Sequence, residues 1–406
     1  MSSGNKGGVA ASQQTYRMRI LALLDYFEPG YKAGGPIRTL GNMIARLGDE
    51  FEFRVITRDR DLGSAEPYPS IAVNEWSRVG KAEVFYASPV KHLPVLLRLL
   101  RWNSCDVLYL NSFFSWKSAI VPLVLLRWGL VKDVPVVLAP RGEFSAGALE
   151  LKAAKKRVYI ALARMFGLCR RVIWQASSEA EAADIRRVMQ CGTEQIVVAP
   201  NLLPVATEEP GECKQESPRR QPGPLRIIFL SRISPMKNLH FLLSALKSVS
   251  ATVSLDVYGP IEDSSYWDIC SRLIDELQPN ISVNYRGAVP ADQVAKVFRQ
   301  YDLFAFPTRG ENFGHVIFES LNAGTPVLLS DRTPWRADTG GAIEILALDN
   351  EDAWTQAISR WAEEAERGVS CRYSRSARAY ARAVCANDQA LKMNRQLFSY
   401  ATGRHV

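Results

Sequence analysis

Histidine is scarce in this sequence, with four in 406 residues. Seven cysteines, Cys105, Cys169, Cys191, Cys213, Cys270, Cys371 and Cys385, are scattered, and no two stand at Cys-x-x-Cys spacing. That argues against a zinc site and against a disulfide framework, and isolated thiols fit a reducing cytoplasm. No apolar run reaches the roughly 18 residues of a membrane-spanning helix. Ile20 to Leu24 is too short for the apolar region of a signal peptide. No Gly-x-Gly-x-x-Gly follows the first strand pattern, which counts against a dinucleotide site. No long Lys/Arg tract appears either, although 50 basic residues against 42 acidic ones leave a net +8. A nucleic-acid partner is therefore not expected; an anionic membrane surface, a phosphorylated small molecule and a merely solvated basic surface stay open.

What is present is an alternation of short apolar runs and helical patterns, twice over. Arg19 to Tyr26, Glu52 to Arg58, Val107 to Ser112, Val134 to Pro140 and Arg171 to Ser177 read as strands of the first half. Leu225 to Arg232, Val253 to Gly259, Ile281 to Gly287, Leu303 to Thr308 and Pro326 to Asp331 read as strands of the second. Buried strands separated by helices predict an α/β fold of two open parallel sheets. The expected boundaries are a flexible tail at 1–18, a first domain at 19–205, a Pro/Glu/Arg-rich linker at 206–224, a second domain at 225–385 and a terminal helix at 386–406. Val121 to Val131 reads as a buried helix.

In such sheets ligands sit beyond the carboxyl ends of the strands, and the candidate residues lie there. Gly34 and Gly35, in "AGGP", follow the first strand, and Arg141 follows "VVLAP". Arg232 and Lys237 follow "IIFLS", where a fork and a point charge suit a diphosphate. "PTRGENFGHVIFESLNAGTPVLLSD" spans Pro307 to Asp331 and sets Glu311 before a helix and Glu319 on it. The amide groups at the start of that helix favour an anion, and a carboxylate suits a ribose diol. Taken singly, Glu311 as a helix-start carboxylate, Glu319 as a solvent-facing residue and Arg232 with Lys237 as an ordinary basic loop remain alternatives.

Together, Arg232 with Lys237 and the Glu-x7-Glu of Glu311 and Glu319 resemble the retaining glycosyltransferases of family 4, which have the GT-B fold. "RISPMKN", "RGAVP" and "AFPTRGENFG" match in order and spacing, and "GYKAGGPIRTL" and "VLAPRGEF" resemble a branch acting in bacterial surface polysaccharide synthesis. The resemblance covers roughly residues 19 to 340. It implies two Rossmann-like domains facing a cleft, the first acceptor-side and the second binding the donor, a nucleotide diphosphate sugar. It implies that Arg232 and Lys237 hold the diphosphate, Glu319 the ribose, and Glu311 the sugar near the reacting carbon. Asn312, Phe313 and Gly314 would offer amides, Gly34 and Gly35 would close over the phosphates, and Arg286 would approach the base. Many members carry a histidine where this chain has Arg141, which becomes the acceptor-side candidate; His315 lies elsewhere, on the donor helix. No cofactor and no metal are expected, on the reading that the chain has no Asp-x-Asp motif anywhere.

The implied reaction moves the sugar to a hydroxyl of a saccharide or lipid-linked saccharide, with retention of configuration. A nucleotide-sugar 2-epimerase and a non-catalytic nucleotide-sugar-binding protein are the rival readings. The segments Val90 to Trp102 and Leu151 to Arg171 are both basic and apolar. They read equally as peripheral contacts with an anionic membrane or as amphipathic helices with basic outer faces.

Overall fold

The computed structural model describes residues 16–101, 105–150, 153–204, 222–368, 371–385 and 388–403. Most of the expected tail and linker, together with Trp102, Leu151 and Lys152, lies outside these residues. Two sheets form the frame. The first runs, in spatial order, Trp76–Val79, Ala82–Ala87, Glu52–Arg58, Arg19–Leu23, Val107–Asn111, Val136–Ala139, Val172–Ala176, Ile196–Val198. The second runs Ile281–Gly287, Val253–Tyr258, Leu225–Leu230, Leu303–Phe306, Val327–Ser330, Ile343–Leu346. All pairings in the second sheet are parallel. Its central strands Leu303–Phe306 and Val327–Ser330 are buried at every position, as strands covered on both faces must be.

The purely parallel expectation needs one correction. Trp76–Val79 pairs antiparallel with Ala82–Ala87 at the edge of the first sheet. The chain reverses through Gly80 and Lys81, with Gly80 at φ 56°, so no crossover helix is needed. A second correction concerns Val121 to Val131. The helix covers only Val121–Arg127; Gly129, at φ 65°, stops it, and Trp128 and Leu130 emerge to solvent, 56% and 57% exposed.

The first sheet has two apolar faces. One is covered by helices including His92–Arg101, Val121–Arg127 and Ala153–Met165. The other is covered by Gly35–Leu47 and by the last helix, Gln389–Thr402. That last helix follows the second half in sequence but packs on the first. Phe398 meets Phe51, Phe53 and Tyr109 at ring separations of 5.4, 6.4 and 5.7 Å. Arg395 grips Glu50 at 2.6 and 2.7 Å, and Asn394 donates to the Pro200 carbonyl at 2.8 Å. Truncating a buried Phe such as Phe398 to Ala typically costs about 3–5 kcal/mol.

Candidate active site

The donor-side loop is built by local constraint. Leu303–Phe306 delivers the chain to Gly314, whose φ of 77° and ψ of 63° are left-handed. That backbone conformation favours glycine, and a Cβ there would also press on the Ile317 Cδ1 at 2.7 Å, so the end of that side chain would have to shift. Helix His315–Ala323 starts at once and ends at Gly324, φ 89°. The loop after Leu225–Leu230 is stapled to this one. Asn238 donates to the Pro307 carbonyl at 2.9 Å, and the Arg309 amide to the Met236 carbonyl at 2.8 Å. These ties bring Lys237 onto Glu311 in a shielded ion pair, with its ammonium 5.6 Å from the Phe306 ring centroid. Arg232 joins the same edge but pairs with Glu262 at 2.7 Å, and both remain more than a third exposed. The Phe313 ring packs on Trp335, whose indole donates to the Phe313 carbonyl at 2.6 Å.

The first half meets this edge from the other side. Gly34, φ 75°, opens helix Gly35–Leu47, with Pro36 in its first turn. A Cβ on Gly35 would lie 3.8 Å from the His315 ring. Arg38 reaches across and pairs with Glu319, whose Oε2 is buried with no hydrogen-bond partner among the described residues. Burial pushes the Arg38 guanidinium down to about 10. Thr39 bonds the His315 Nε2 at 2.8 Å. Burial, then the charges of Arg38 and Arg141, push that imidazole from 6.5 to about 3, so it is neutral at ordinary pH. Asn312 accepts from the Ser177 hydroxyl at 2.9 Å. Residues from the carboxyl ends of both sheets therefore converge on one cleft.

Two family descriptions match, and they fall on the two sheets. The "Glycosyl transferase 4-like domain" matches residues 34–202, and "Glycosyl transferases group 1" matches residues 212–378. The chain belongs to the family 4 glycosyltransferases. This glycosyltransferase has the GT-B fold. It is similar to Anabaena HepE, solved with UDP and glucose, at TM-score 0.63 and 17% identity over 95% of this chain and all of that one. It is similar in the same way to WaaG, described as a glycosyltransferase involved in lipopolysaccharide biosynthesis, at TM-score 0.61, 15% identity and the same coverage. An uncharacterized 41.2 kDa protein of the Klebsiella pneumoniae cps region is 24% identical over 58% of this chain and 63% of its own length. A D-inositol 3-phosphate glycosyltransferase of Segniliparus rotundus is 28% identical over 38% of this chain and 35% of its own length. The chain thus spans less than two thirds of the length of these last two relatives.

The remaining sequence candidates of the glycosyltransferase occupy less direct positions. Arg141, at φ 54°, turns its guanidinium to the sheet, onto Tyr109, Asn111 and Asn201; it bonds Asn201 at 2.5 Å and Asn111 at 3.2 Å. Gly142 does approach the cleft, since a Cβ there would meet the Asn312 Cβ at 3.1 Å. Arg286 bonds Asp256 at 3.1 Å, which also accepts from Tyr301 at 2.7 Å and Asn284 at 2.9 Å. Beyond that strand, Pro290, Ala291 and Asp292 share a cavity of about 530 Å³ with Glu28, Gly34, Arg38 and Tyr86 of the first half. That is the size of a small-ligand pocket.

The reading that the chain has no Asp-x-Asp motif needs correction: one such triplet occurs, Asp59-Arg60-Asp61, away from the donor loop. Its carboxylates are used locally. Asp59 pairs with Arg60 at 2.8 Å, and Asp61 accepts from the amides of Tyr31, Lys32 and Leu62 at 3.1, 3.3 and 2.8 Å. Its work is to shape the loop that presents Gly34. Among the described residues no cluster of three or more His, Cys, Asp or Glu has metal-holding geometry.

Sequence reasoning missed Arg38, Thr39 and Glu262. The only available signal for Arg38 was its place in the first turn after "AGGP", one turn from the expected phosphate contact.

Proposed function

We propose that the protein transfers a sugar from a nucleotide diphosphate sugar to an acceptor hydroxyl, with retention of configuration, in cell-envelope polysaccharide synthesis. The observation that carries the reading is the meeting of Lys237–Glu311 and Arg38–Glu319 beside the amino end of helix His315–Ala323. The ribose diol takes the Glu319 carboxylate. The diphosphate lies between Lys237, Arg232 and the helix amides, with Gly34 and Gly35 closing over it. Sugar transfer of this kind passes through an oxocarbenium-like state while charge builds on the departing diphosphate. Fixed cations and amides aimed at that charge lower the barrier. Glu311 steadies the sugar near its reacting carbon and holds Lys237 in position. The similarity to HepE, solved with UDP-glucose, and to WaaG, of lipopolysaccharide synthesis, supports a nucleotide-sugar donor and an envelope saccharide or lipid-linked saccharide as acceptor.

Transfer on this reading needs neither metal nor cofactor, because Arg232, Lys237 and the helix terminus supply the compensating charge. A coupled nucleotide-release assay with a panel of nucleotide sugars tests it. Activity is expected to survive excess EDTA. Loss that Mg²⁺ or Mn²⁺ restores overturns the roles of the two cations. Isomerisation of donor incubated alone would mark an epimerase instead, and unchanged donor with every saccharide acceptor a binding protein.

A further inference from the structure

The cavity of about 530 Å³ beside Arg38 is walled mostly by the half that does not hold the donor. Eleven of its fourteen lining residues come from the first half, and three, Pro290, Ala291 and Asp292, from the second. Gly34 is among the eleven, so an occupant lies against the glycine assigned to the diphosphate. Tyr31, Ile37, Ile71, Val79 and Tyr86 give the cavity apolar and aromatic walls. Three charged side chains line it. Arg38 is engaged with Glu319, and the other two, Glu28 and Asp292, are both acidic.

Glu28 is held in place from two directions. Its loop is pinned by the backbone: the Gly30 amide donates to the Phe27 carbonyl at 2.9 Å, and the Tyr86 hydroxyl donates to the carbonyl of Glu28 itself. Its side chain lies along helix Gly35–Leu47 at Gly41. A Cβ on Gly41 would stand 2.8 Å from the Glu28 Oε1, and Glu28 is the one residue it would press on. Gly41 sits in the helix interior, where glycine is less favourable than alanine, and its φ is not positive, so the backbone does not call for it. The missing methyl makes room for the carboxylate. No hydrogen bond or ion pair holds that carboxylate among the described residues, so its oxygens are left as acceptors facing a cavity.

Resting on the transferase reading, we propose that this cavity binds the acceptor, that the sugar unit it takes is neutral, and that Glu28 selects that unit by accepting from its hydroxyls, with Gly41 as the positioning residue. A carboxylate offers acceptor sites alone, which match hydroxyl hydrogens. The C–H face of a sugar ring suits the aromatic and aliphatic wall. An acidic sugar or a sugar phosphate would instead bring its charge against both Glu28 and Asp292, and such like-charge contact rejects a ligand. The donor stays with the second half, and the acceptor meets it at Gly34.

The test is saturation-transfer NMR on the full chain with the methyl glycosides of glucose, galactose, mannose and rhamnose, and with those of glucuronic and galacturonic acid. No nucleotide sugar is present, and nucleotide release is measured separately, so this assignment and the transferase reading fail separately. At least one neutral glycoside is expected to receive saturation, and neither uronate. Glu28→Gln should weaken the neutral glycoside about tenfold or more, as loss of a charged hydrogen-bond acceptor does. Gly41→Ala should weaken it too, by pushing the carboxylate aside, while the melting temperature stays at or above that of the parent. Uronates that bind as well as the neutral sugars, no neutral glycoside bound, or Glu28→Gln binding like the parent overturn the proposal. Gly41→Ala binding like the parent, or losing binding together with a fall in melting temperature, removes the positioning role. Displacement of the glycoside by uridine or guanosine also overturns the proposal, by assigning the cavity to the base of the donor.

Discussion

The ion pair Lys237–Glu311 is internal to the second half, whereas Arg38–Glu319 and the neighbouring Thr39–His315 bond join the two halves across the cleft. The first pair lies between two loops tied together by backbone bonds, so its geometry survives whatever the other half does. The second exists only while the halves are together. On the proposed function its carboxylate takes the ribose, and a bound nucleotide would then exchange Arg38 for its own hydroxyls. The local pair is thus suited to chemistry and the crossing pair to sensing whether a nucleotide is present.

Four experiments break or sharpen that contrast. Removing the local cations, Arg232→Ala with Lys237→Ala, should lower turnover by about 10³-fold or more, as loss of charge stabilisation in a transition state does. A fall of less than tenfold in a single-turnover assay would return Lys237 to a structural role. Glu319→Ala should weaken nucleotide-sugar binding by about 1.5–3 kcal/mol, measured by calorimetry, while Glu311→Ala lowers turnover more than affinity. The two substitutions having the same effect would erase the contrast.

Arg38→Met should lower stability by about 1–2 kcal/mol. That is short of the full penalty for an orphaned buried charge, because the two side chains retain 27% and 19% exposure. The deficit should vanish when nucleoside diphosphate is saturating, since the ribose then satisfies Glu319 in parent and variant alike. A melting-temperature gap that persists with nucleotide contradicts the exchange.

The smallest effect is in pH. His315 is pushed from 6.5 to about 3, so between these values the unfolded chain binds the proton that the folded one refuses. Its contribution is complete above pH 6.5 and is lost as pH falls toward 3, by at most about 1.4 kcal/mol per unit. In denaturant titrations His315→Gln should be less stable than the parent at pH 7, and the gap should close by pH 5. Parallel pH profiles would show that the ring does not carry this burial cost.

Much of this was legible in the chain itself, for physical reasons. Strands such as Glu52–Arg58 and Val253–Tyr258 fall where the apolar pattern puts them, because a parallel strand buried on both faces has little freedom in composition. Trp76–Val79, Ala82–Ala87, Ile196–Val198 and Ile343–Leu346 were not assigned; three are edge strands of three or four residues in which only Ile343 is fully buried, whereas Ala82–Ala87 is internal and interrupted by the exposed Glu83. The donor loop was readable because its geometry is set by near neighbours, Gly310, Gly314 and Gly324. Arg38 was not, because its partner lies far along the chain. Arg141 was placed correctly at a strand end, but its guanidinium follows Tyr109, Asn111 and Asn201 rather than the cleft, a direction fixed by three partners spread over the first half.

The helix Gln389–Thr402 completes the core of the first sheet although the whole second half precedes it in sequence. On the ribosome, the face formed by Phe51, Phe53 and Tyr109 accordingly stays uncovered while all of the second sheet is being made. The order of synthesis and the order of core closure run opposite ways. A nascent chain of this protein is committed to carrying an open aromatic surface until residue 398 has emerged.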